Sequence, residues 1–435
     1  MNQAIQDSGR RDFLKELGML AGGTALLSMA PWLKSCSPSG DRSATAGEQA
    51  RIALIGCGSR GQYHLTLLKD IPSARVVALC DDYAPHLQEA SAFFPEARLY
   101  SDYRALLEDK EIDGVIIATP LGLHAGMTLD ALDAGKHVFC EKAMALTMEQ
   151  CKQVYEASRR SDKALYYCMQ RMFDEKYIQG IRLIREGLIG EVVGMRCHWF
   201  RNADWRREVP APGLERRINW RLYKEYSAGL MTELACHQLQ VGTWAMRQLP
   251  EKVMGHGAIT YWKDGREVYD NINCIYVFPG GEKLTYGTDI ANKFYGLEEQ
   301  ILGNLGTVEP ERGKYYFEDI DPTPAFLQMI NDWENTVFGS IPFAGTSWAP
   351  ETANENHGEY ILGKRPDGDG TSLLTEAFVE AVITKRQPER IAEEGYYASL
   401  LCLWGHEAIE RGEILSFPEE YKIDYDVYKT KRQEA

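Results

Sequence analysis

Residues 51–61 read Arg51-Ile52-Ala53-Leu54-Ile55-Gly56-Cys57-Gly58-Ser59-Arg60-Gly61. The run from Arg51 to Ile55 reads as a buried strand, and residues 61–69 read as the start of a helix. Between a strand and a helix the three glycines take separate jobs. Gly56 makes the tight turn, Gly58 lets the backbone approach a pyrophosphate, and Gly61 lets helix and strand pack closely. The helix start offers unpaired N–H groups and a positive dipole end to phosphates. A GxGxxG pattern is weak by itself in a chain with 39 glycines, so the residues around it decide the reading.

Strand and helix signals alternate over residues 51–169, the pattern of an α/β, doubly wound parallel sheet with helices on both faces. The second strand, residues 75–80, ends at Asp81, twenty residues after Gly61. A carboxylate there accepts hydrogen bonds from adenosine ribose hydroxyls and repels a 2′-phosphate, which favours NAD over NADP. The strand of residues 114–118 runs into Thr119 and Pro120, with His124 close behind. Ligands bind at strand carboxyl ends in such sheets, so these three face the nicotinamide side, with a helix-start structural role for His124 left open. The strand of residues 137–140 leads directly into Glu141 and Lys142. A lysine so placed suits proton transfer or the holding of a substrate hydroxyl, the plainer alternative being a surface lysine paired with Glu141. The candidate cofactor contacts are therefore Gly56, Gly58, Ser59, Arg60, Gly61, Asp81, Thr119, Pro120, His124, Glu141 and Lys142.

Past residue 169 the pattern changes. A helix over residues 175–186 is followed by strands over 192–200, 251–262, 268–278 and 282–289, with Pro279-Gly280-Gly281 marking a hairpin. Strands in succession without helices between them predict an α+β domain with a large, mostly antiparallel open sheet. Residues 341–370 read as a long loop, and residues 371–385 and 396–411 as amphipathic helices. A loop rich in aromatic and arginine residues, among them Trp199, Arg201, Trp205, Arg206, Trp220 and Arg221, offers faces for sugar C–H surfaces and donors for hydroxyls or carboxylates. An arm packing on a neighbouring subunit is the equal alternative. Arg171, Trp205, Trp220, Arg221, Glu233 and His237 are the candidate substrate contacts. Glu233 and His237 stand four apart, which predicts one helix face on which the carboxylate orients the imidazole and keeps it basic. Read alone, the pair is a surface ion pair or a core histidine. No third ligand at helical spacing accompanies it, so no metal is expected.

Together these pieces resemble the glucose–fructose oxidoreductase, inositol dehydrogenase and rhizopine-catabolism family, Gfo/Idh/MocA. The matching stretches are residues 55–61, Ala118-Thr119-Pro120 with His124, and Ala134-Gly135-Lys136-His137-Val138 running into Glu141-Lys142, and the likeness extends over roughly residues 51–420. The resemblance implies an NAD-binding Rossmann domain at 51–169 and a substrate-binding and oligomerisation domain at 170–435, in a homo-oligomer. It implies that Lys142 stands for the catalytic lysine of a Glu-Lys-Pro motif, with Ala143 in place of the proline. It maps the acid/base histidine of an Asp-x-x-x-His motif onto His237, with Glu233 in place of the substrate-contacting aspartate. Lys142, His237 and Glu233 are thus the catalytic candidates. The implied activity is hydride transfer between a secondary alcohol of a sugar, glycoside or polyol and a tightly bound nicotinamide cofactor. Two alternatives stay open: an NAD-dependent glycosidase acting by transient oxidation and elimination, and a non-catalytic periplasmic sugar-binding protein.

The chain of 435 residues carries 48 basic and 63 acidic side chains, a net charge of −15 that excludes a general nucleic-acid binder. Ten cysteines form no CxxC pair, and those in the strands read as small hydrophobes. Residues 1–30 read as a twin-arginine signal segment: Arg10-Arg11-Asp12-Phe13-Leu14-Lys15 precedes a short apolar run too glycine-rich to span a bilayer. Cleavage after Ala30 and a lipid anchor at Cys36 are the two endings, and residues 31–50 make a flexible linker. Both endings predict a periplasmic protein, exported folded with its cofactor already bound.

Overall fold

A computed structural model of the chain describes residues 48–318, 336, 358–362 and 368–424. The twin-arginine segment, Cys36, nearly all of the linker and most of the loop expected over 341–370 lie outside the described residues. No helix among the described residues is long and apolar enough to cross a membrane.

The first sheet contains β1 (Ala50–Ile55), β2 (Ala74–Cys80), β3 (Arg98–Tyr100), β4 (Gly114–Ile117), β5 (His137–Cys140) and β6 (Leu165–Tyr167). Its order is β3-β2-β1-β4-β5-β6, and every pairing is parallel. The connecting helices are α1 (Ser59–Lys69), α2 (Ala84–Ser91), α3 (Tyr103–Leu107), α4 (His124–Asp133) and α5 (Met148–Arg160). Strands β4 and β5 are buried at every residue because the sheet is covered on both faces, which is why they read as unbroken apolar runs. The strand order reverses between β1 and β4, and the crevice at their carboxyl ends is the ligand position of such sheets.

Helix α5 is absent from the sequence-based assignment. Its buried residues Cys151, Val154, Tyr155 and Ser158 follow helical spacing, and Thr147 caps it by accepting from the Gln150 N–H at 3.2 Å. The charged residues between those positions hide so narrow a stripe.

The second half begins with α6 (Glu175–Arg185) and β7 (Val192–Trp199), then α7 (Glu215–Ile218) and α8 (Cys236–Met246). Strands β8 (Lys252–Ala258), β9 (Asn271–Val277), β10 (Lys283–Asp289), β11 (Leu297–Gly303), β12 (Gly306–Glu309), β13 (Lys314–Phe317) and β14 (Glu359–Tyr360) follow. After α9 (Thr371–Thr384) and α10 (Ile391–Arg411), β15 (Leu415–Ser416) completes a sheet of order β14-β13-β12-β11-β7-β10-β9-β8-β15. All its pairings are antiparallel except β7 with β10. One face is buried in alternation, as Ile272, Cys274 and Tyr276 of β9 illustrate.

The last two helices tie the sheets together. Phe378 of α9 packs edge-on against Phe139 of β5 and Tyr166 of β6, each at 5.6 Å, so α9 covers the first sheet. Helix α10 stacks Tyr396 on Tyr155 of α5 at 4.9 Å and sets Trp404 against Tyr276 of β9 at 5.9 Å. It is therefore wedged between the two halves and fixes the cleft between them.

Candidate active site

A cleft of about 1850 Å³ runs from the carboxyl ends of the first sheet to α8 and the arm of residues 200–226. Gly58, Asp81, Thr119, Lys142, Trp220 and His237 all line it.

At one end the glycines divide their work. Gly56 has φ +94°, and a Cβ there would lie 2.6 Å from the Ala118 carbonyl oxygen. A Cβ on Gly61 would lie 1.9 Å from the Gly56 carbonyl oxygen, so only glycine lets α1 approach β1 this closely. At Gly58 a Cβ would meet only the His86 ring, at 3.9 Å, leaving free space on the cleft side. No side chain caps α1, whose first N–H groups therefore face the cleft without an intrahelical partner. Asp81, just past β2, accepts from the Cys57 N–H at 2.7 Å and from the Tyr83 N–H at 2.8 Å. This cradle, an open glycine beside an uncapped helix start with a carboxylate at the next strand end, fits a dinucleotide.

Arg60 and Glu141, both expected to contact the cofactor, spend their polar atoms largely on each other. Arg60 Nε donates to Glu141 Oε1 at 2.6 Å, and His64 Nε2 stands 2.8 Å from the same oxygen. Burial pushes the Glu141 carboxyl up, but Arg60 and His64 more than offset this and hold it well below the usual range. The pair braces α1 against the end of β5. Lys142 is thereby not the surface partner of Glu141.

His124 lines the cleft, with both ring nitrogens set against main-chain carbonyls. Its Nδ1 lies 2.8 Å from the Ala143 carbonyl and its Nε2 3.0 Å from the Thr119 carbonyl, so the ring sits between the loop after β4 and the loop after β5 and its one N–H donates to one of the two. Burial lowers its pKa. Thr119 and Pro120 line the cleft as expected.

The Lys142 ammonium donates to the carbonyls of Thr232, at 3.2 Å, and Glu233, at 2.8 Å. The Lys142–Ala143 peptide bond is cis. Those two carbonyls belong to a π-turn, Met231–Ala235, that leads straight into α8. The Glu233 carboxylate does not pair with His237 as their spacing predicts, although both side chains line the cleft. The Glu233 carboxylate instead accepts from Arg221 Nε at 2.9 Å and Ser227 Oγ at 3.2 Å. Burial raises its pKa, and Lys142 and Arg221 overcome that to keep it an anion.

His237 is 7% exposed, with its ring 6.0 Å from that of Trp199. Burial first, then the charges of Arg171 and Lys142, hold its pKa well below the ordinary imidazole value, so it is neutral rather than kept basic.

Arg171 does not line the cleft, contrary to its expected contact with substrate. It is buried behind Trp199, whose ring centroid lies 5.9 Å away, and its Nη2 is 3.0 Å from Glu299 Oε1 of β11. A buried guanidinium needs such a carboxylate, and the partner lies far along the chain. Trp205, Trp220 and Arg221 do line the cleft, with the Arg221 guanidinium 4.2 Å from the Trp220 ring centroid.

Three contributors escape sequence reasoning. Ser399 of α10 accepts from the Met144 N–H at 2.8 Å, two residues past Lys142. Arg217 pairs with Asp82, and the Gly122 N–H donates to the Tyr226 carbonyl at 3.1 Å, so the arm is fastened across the cleft to the first half. No local signal marks any of them, since each depends on a partner distant in sequence. The nine cysteines among the described residues are all buried and form no disulfide, and no group of three or more His, Cys, Asp or Glu side chains among those residues could hold a metal.

Residues 50–168 match the family described as an oxidoreductase family with an NAD-binding Rossmann fold, and residues 178–309 match the GFO/IDH/MocA C-terminal domain. Inositol 2-dehydrogenase 2 of Saccharopolyspora erythraea is 31% identical over 360 residues, covering 80% of this chain and 98% of that protein. A glycosyl hydrolase family 109 protein of Shewanella baltica is 28% identical over 233 residues; the match spans 49% of this chain and only 50% of that relative. Among solved structures, the WlbA dehydrogenase of Bordetella pertussis, in complex with NADH and UDP-GlcNAcA, shares the fold with a TM-score of 0.67 and 20% identity, over 86% of this chain and 99% of that one.

Proposed function

The chain belongs to the Gfo/Idh/MocA oxidoreductase family, with its NAD-binding Rossmann fold, and from that premise we propose that it transfers a hydride between a secondary alcohol of a sugar, glycoside or polyol and a nicotinamide cofactor. The observation that carries this reading is the docking of Lys142, at the end of β5, on the π-turn that leads into His237. Bound in the cleft, the nicotinamide supplies the hydride acceptor. The chain supplies the proton chemistry. His237 is neutral and able to take the hydroxyl proton. The Lys142 ammonium has three donors, two of them used by Thr232 and Glu233, and the third is free to hold the reacting oxygen. Glu233 holds Arg221 over Trp220, and Trp205 and Trp220 give stacking faces for a ring. Asp81 at the end of β2 supports NAD over NADP. The Arg10-Arg11 segment supports export with the cofactor loaded.

The likeness to glycosyl hydrolase family 109 favours a second reading. In that reading the same oxidation is transient: it acidifies the neighbouring C–H, a base takes that proton as the aglycone leaves by elimination, water adds across the resulting double bond, and the hydride returns to the carbonyl.

The experiment is to mix the purified protein, with its native cofactor, with a panel of sugars and glycosides and to follow both the near-ultraviolet absorbance of reduced nicotinamide and the products. Net reduction with an oxidised sugar supports the dehydrogenase. Aglycone release without net reduction supports the glycosidase. Sugar binding with neither outcome sinks both readings and leaves a binding protein.

A further inference from the structure

Arg207 leans from the arm onto the dinucleotide loop, where its Nη2 donates to Ser59 Oγ at 3.0 Å. Ser59 is the first residue of α1 and follows Gly58, the glycine whose surroundings are left open. The backbone of Arg207 is held from both sides. Asn219, itself 2% exposed, accepts from the Arg207 N–H at 2.7 Å and donates to its carbonyl at 3.1 Å.

Four other arginines of the arm have carboxylate partners, while Arg201 lies over the Trp199 ring. Arg206 pairs with Glu215 and Asp264, Arg216 with Glu225 and Glu267, Arg217 with Asp82, and Arg221 with Glu233. Among the described residues Arg207 has no carboxylate within ion-pair distance. Arg207 is exposed at the cleft mouth; partial desolvation and the nearby charge of Arg221 lower its pKa, and an anion in the cleft would offset that charge. An uncapped helix start supplies N–H groups on one side of this space, and a guanidinium free to make a bidentate contact supplies the other.

We infer that Arg207 is a ligand of the cofactor's pyrophosphate, supplied by the arm, so that the dinucleotide is gripped from both halves of the chain and released slowly. The inference rests on the dinucleotide reading above. It adds a residue that the glycine loop does not predict and a physical basis for a cofactor that stays bound between turnovers. The anchoring of the arm through Arg217 to Asp82 and Tyr226 to Gly122 keeps the guanidinium in place.

The test compares the full chain with Arg207→Gln and Arg207→Lys, using NADH, ADP-ribose and adenosine as probes without any sugar. NADH release is read by nicotinamide fluorescence after addition of excess NAD. In Arg207→Gln, release should accelerate by about 10- to 100-fold, the worth of a charge-assisted hydrogen bond. ADP-ribose affinity should fall in parallel, adenosine affinity should stay level, and Arg207→Lys should fall between. Unchanged NADH release, or an equal loss for adenosine, overturns the inference while the dinucleotide reading stands. A wild-type chain that binds no NADH overturns both.

Discussion

The Lys142 ammonium donates at 2.8 Å to the main-chain carbonyl of Glu233, joining the end of a Rossmann strand to the turn that carries His237. Two proton-bearing groups from different halves of the chain are thereby brought to one wall of the cleft.

Removing either group should therefore remove chemistry and spare the cofactor. Lys142→Met and His237→Asn should each lower kcat by about 10²- to 10⁴-fold, the usual contribution of a positioned acid or base. NADH binding, read by fluorescence, should stay near normal. Turnover within a few-fold of wild type in either variant would take that residue out of the mechanism.

The glycines separate folding from binding. Gly61→Ala places a Cβ 1.9 Å from the Gly56 carbonyl oxygen, so α1 must shift, at a cost of about 1–3 kcal/mol and with loss of cofactor binding. Gly58 has φ −68°, which any residue adopts, and its Cβ would touch nothing closer than 3.9 Å. Gly58→Ala should thus leave the Tm of the cofactor-free chain unchanged and weaken NADH binding about tenfold or more, roughly 1.4 kcal/mol. A matched fall in stability would mean that the space at Gly58 serves the fold instead.

The pH profile tests the surroundings of His237. Its pKa is lowered, so its neutral form persists below the ordinary imidazole value of about 6.5. Alcohol oxidation should stay level from neutral pH down past that value and fall only as the pH drops through the lowered pKa. Arg171 contributes to the lowering, so Arg171→Met combined with Glu299→Gln, which avoids an uncompensated buried carboxylate, should move the acid limb of kcat to higher pH. A limb that stays in place would show that His237 does not feel this charge.

What the sequence reveals and what it hides follows from the range of each interaction. The glycine loop, Asp81 and Lys142 are legible because a strand, a turn and a helix written in one short stretch determine their geometry. Helix α5 was hidden by the charges around its narrow buried stripe. The Glu233–His237 spacing misled because a shared face does not choose a carboxylate's partner: Arg221 and Ser227, from the arm and the loop before the turn, draw the Glu233 carboxylate to themselves. Arg171 read as a cleft residue at a strand end. Only the fold shows that Glu299 draws it behind Trp199. The return of α9 and α10 to the first half is set by packing between segments remote in sequence, such as Phe378 on Phe139, which no local pattern encodes.

Helix α10 supplies the final prediction. Ser399 accepts from the buried N–H of Met144 at 2.8 Å and donates to the Gly395 carbonyl at 2.7 Å, so it holds the segment just past Lys142 without touching the cleft. Ser399→Ala leaves that N–H without its acceptor, a cost of about 1–3 kcal/mol visible as a lowered Tm. If Ser399 positions Lys142, kcat should fall by more than the stability loss accounts for at a temperature well below the Tm, with cofactor affinity and the acid limb of the pH profile unchanged. Ser399→Thr, which keeps the hydroxyl, should recover most of the rate. A lowered Tm with normal kcat would make the contact purely structural, and an unchanged Tm would show that the N–H finds another acceptor.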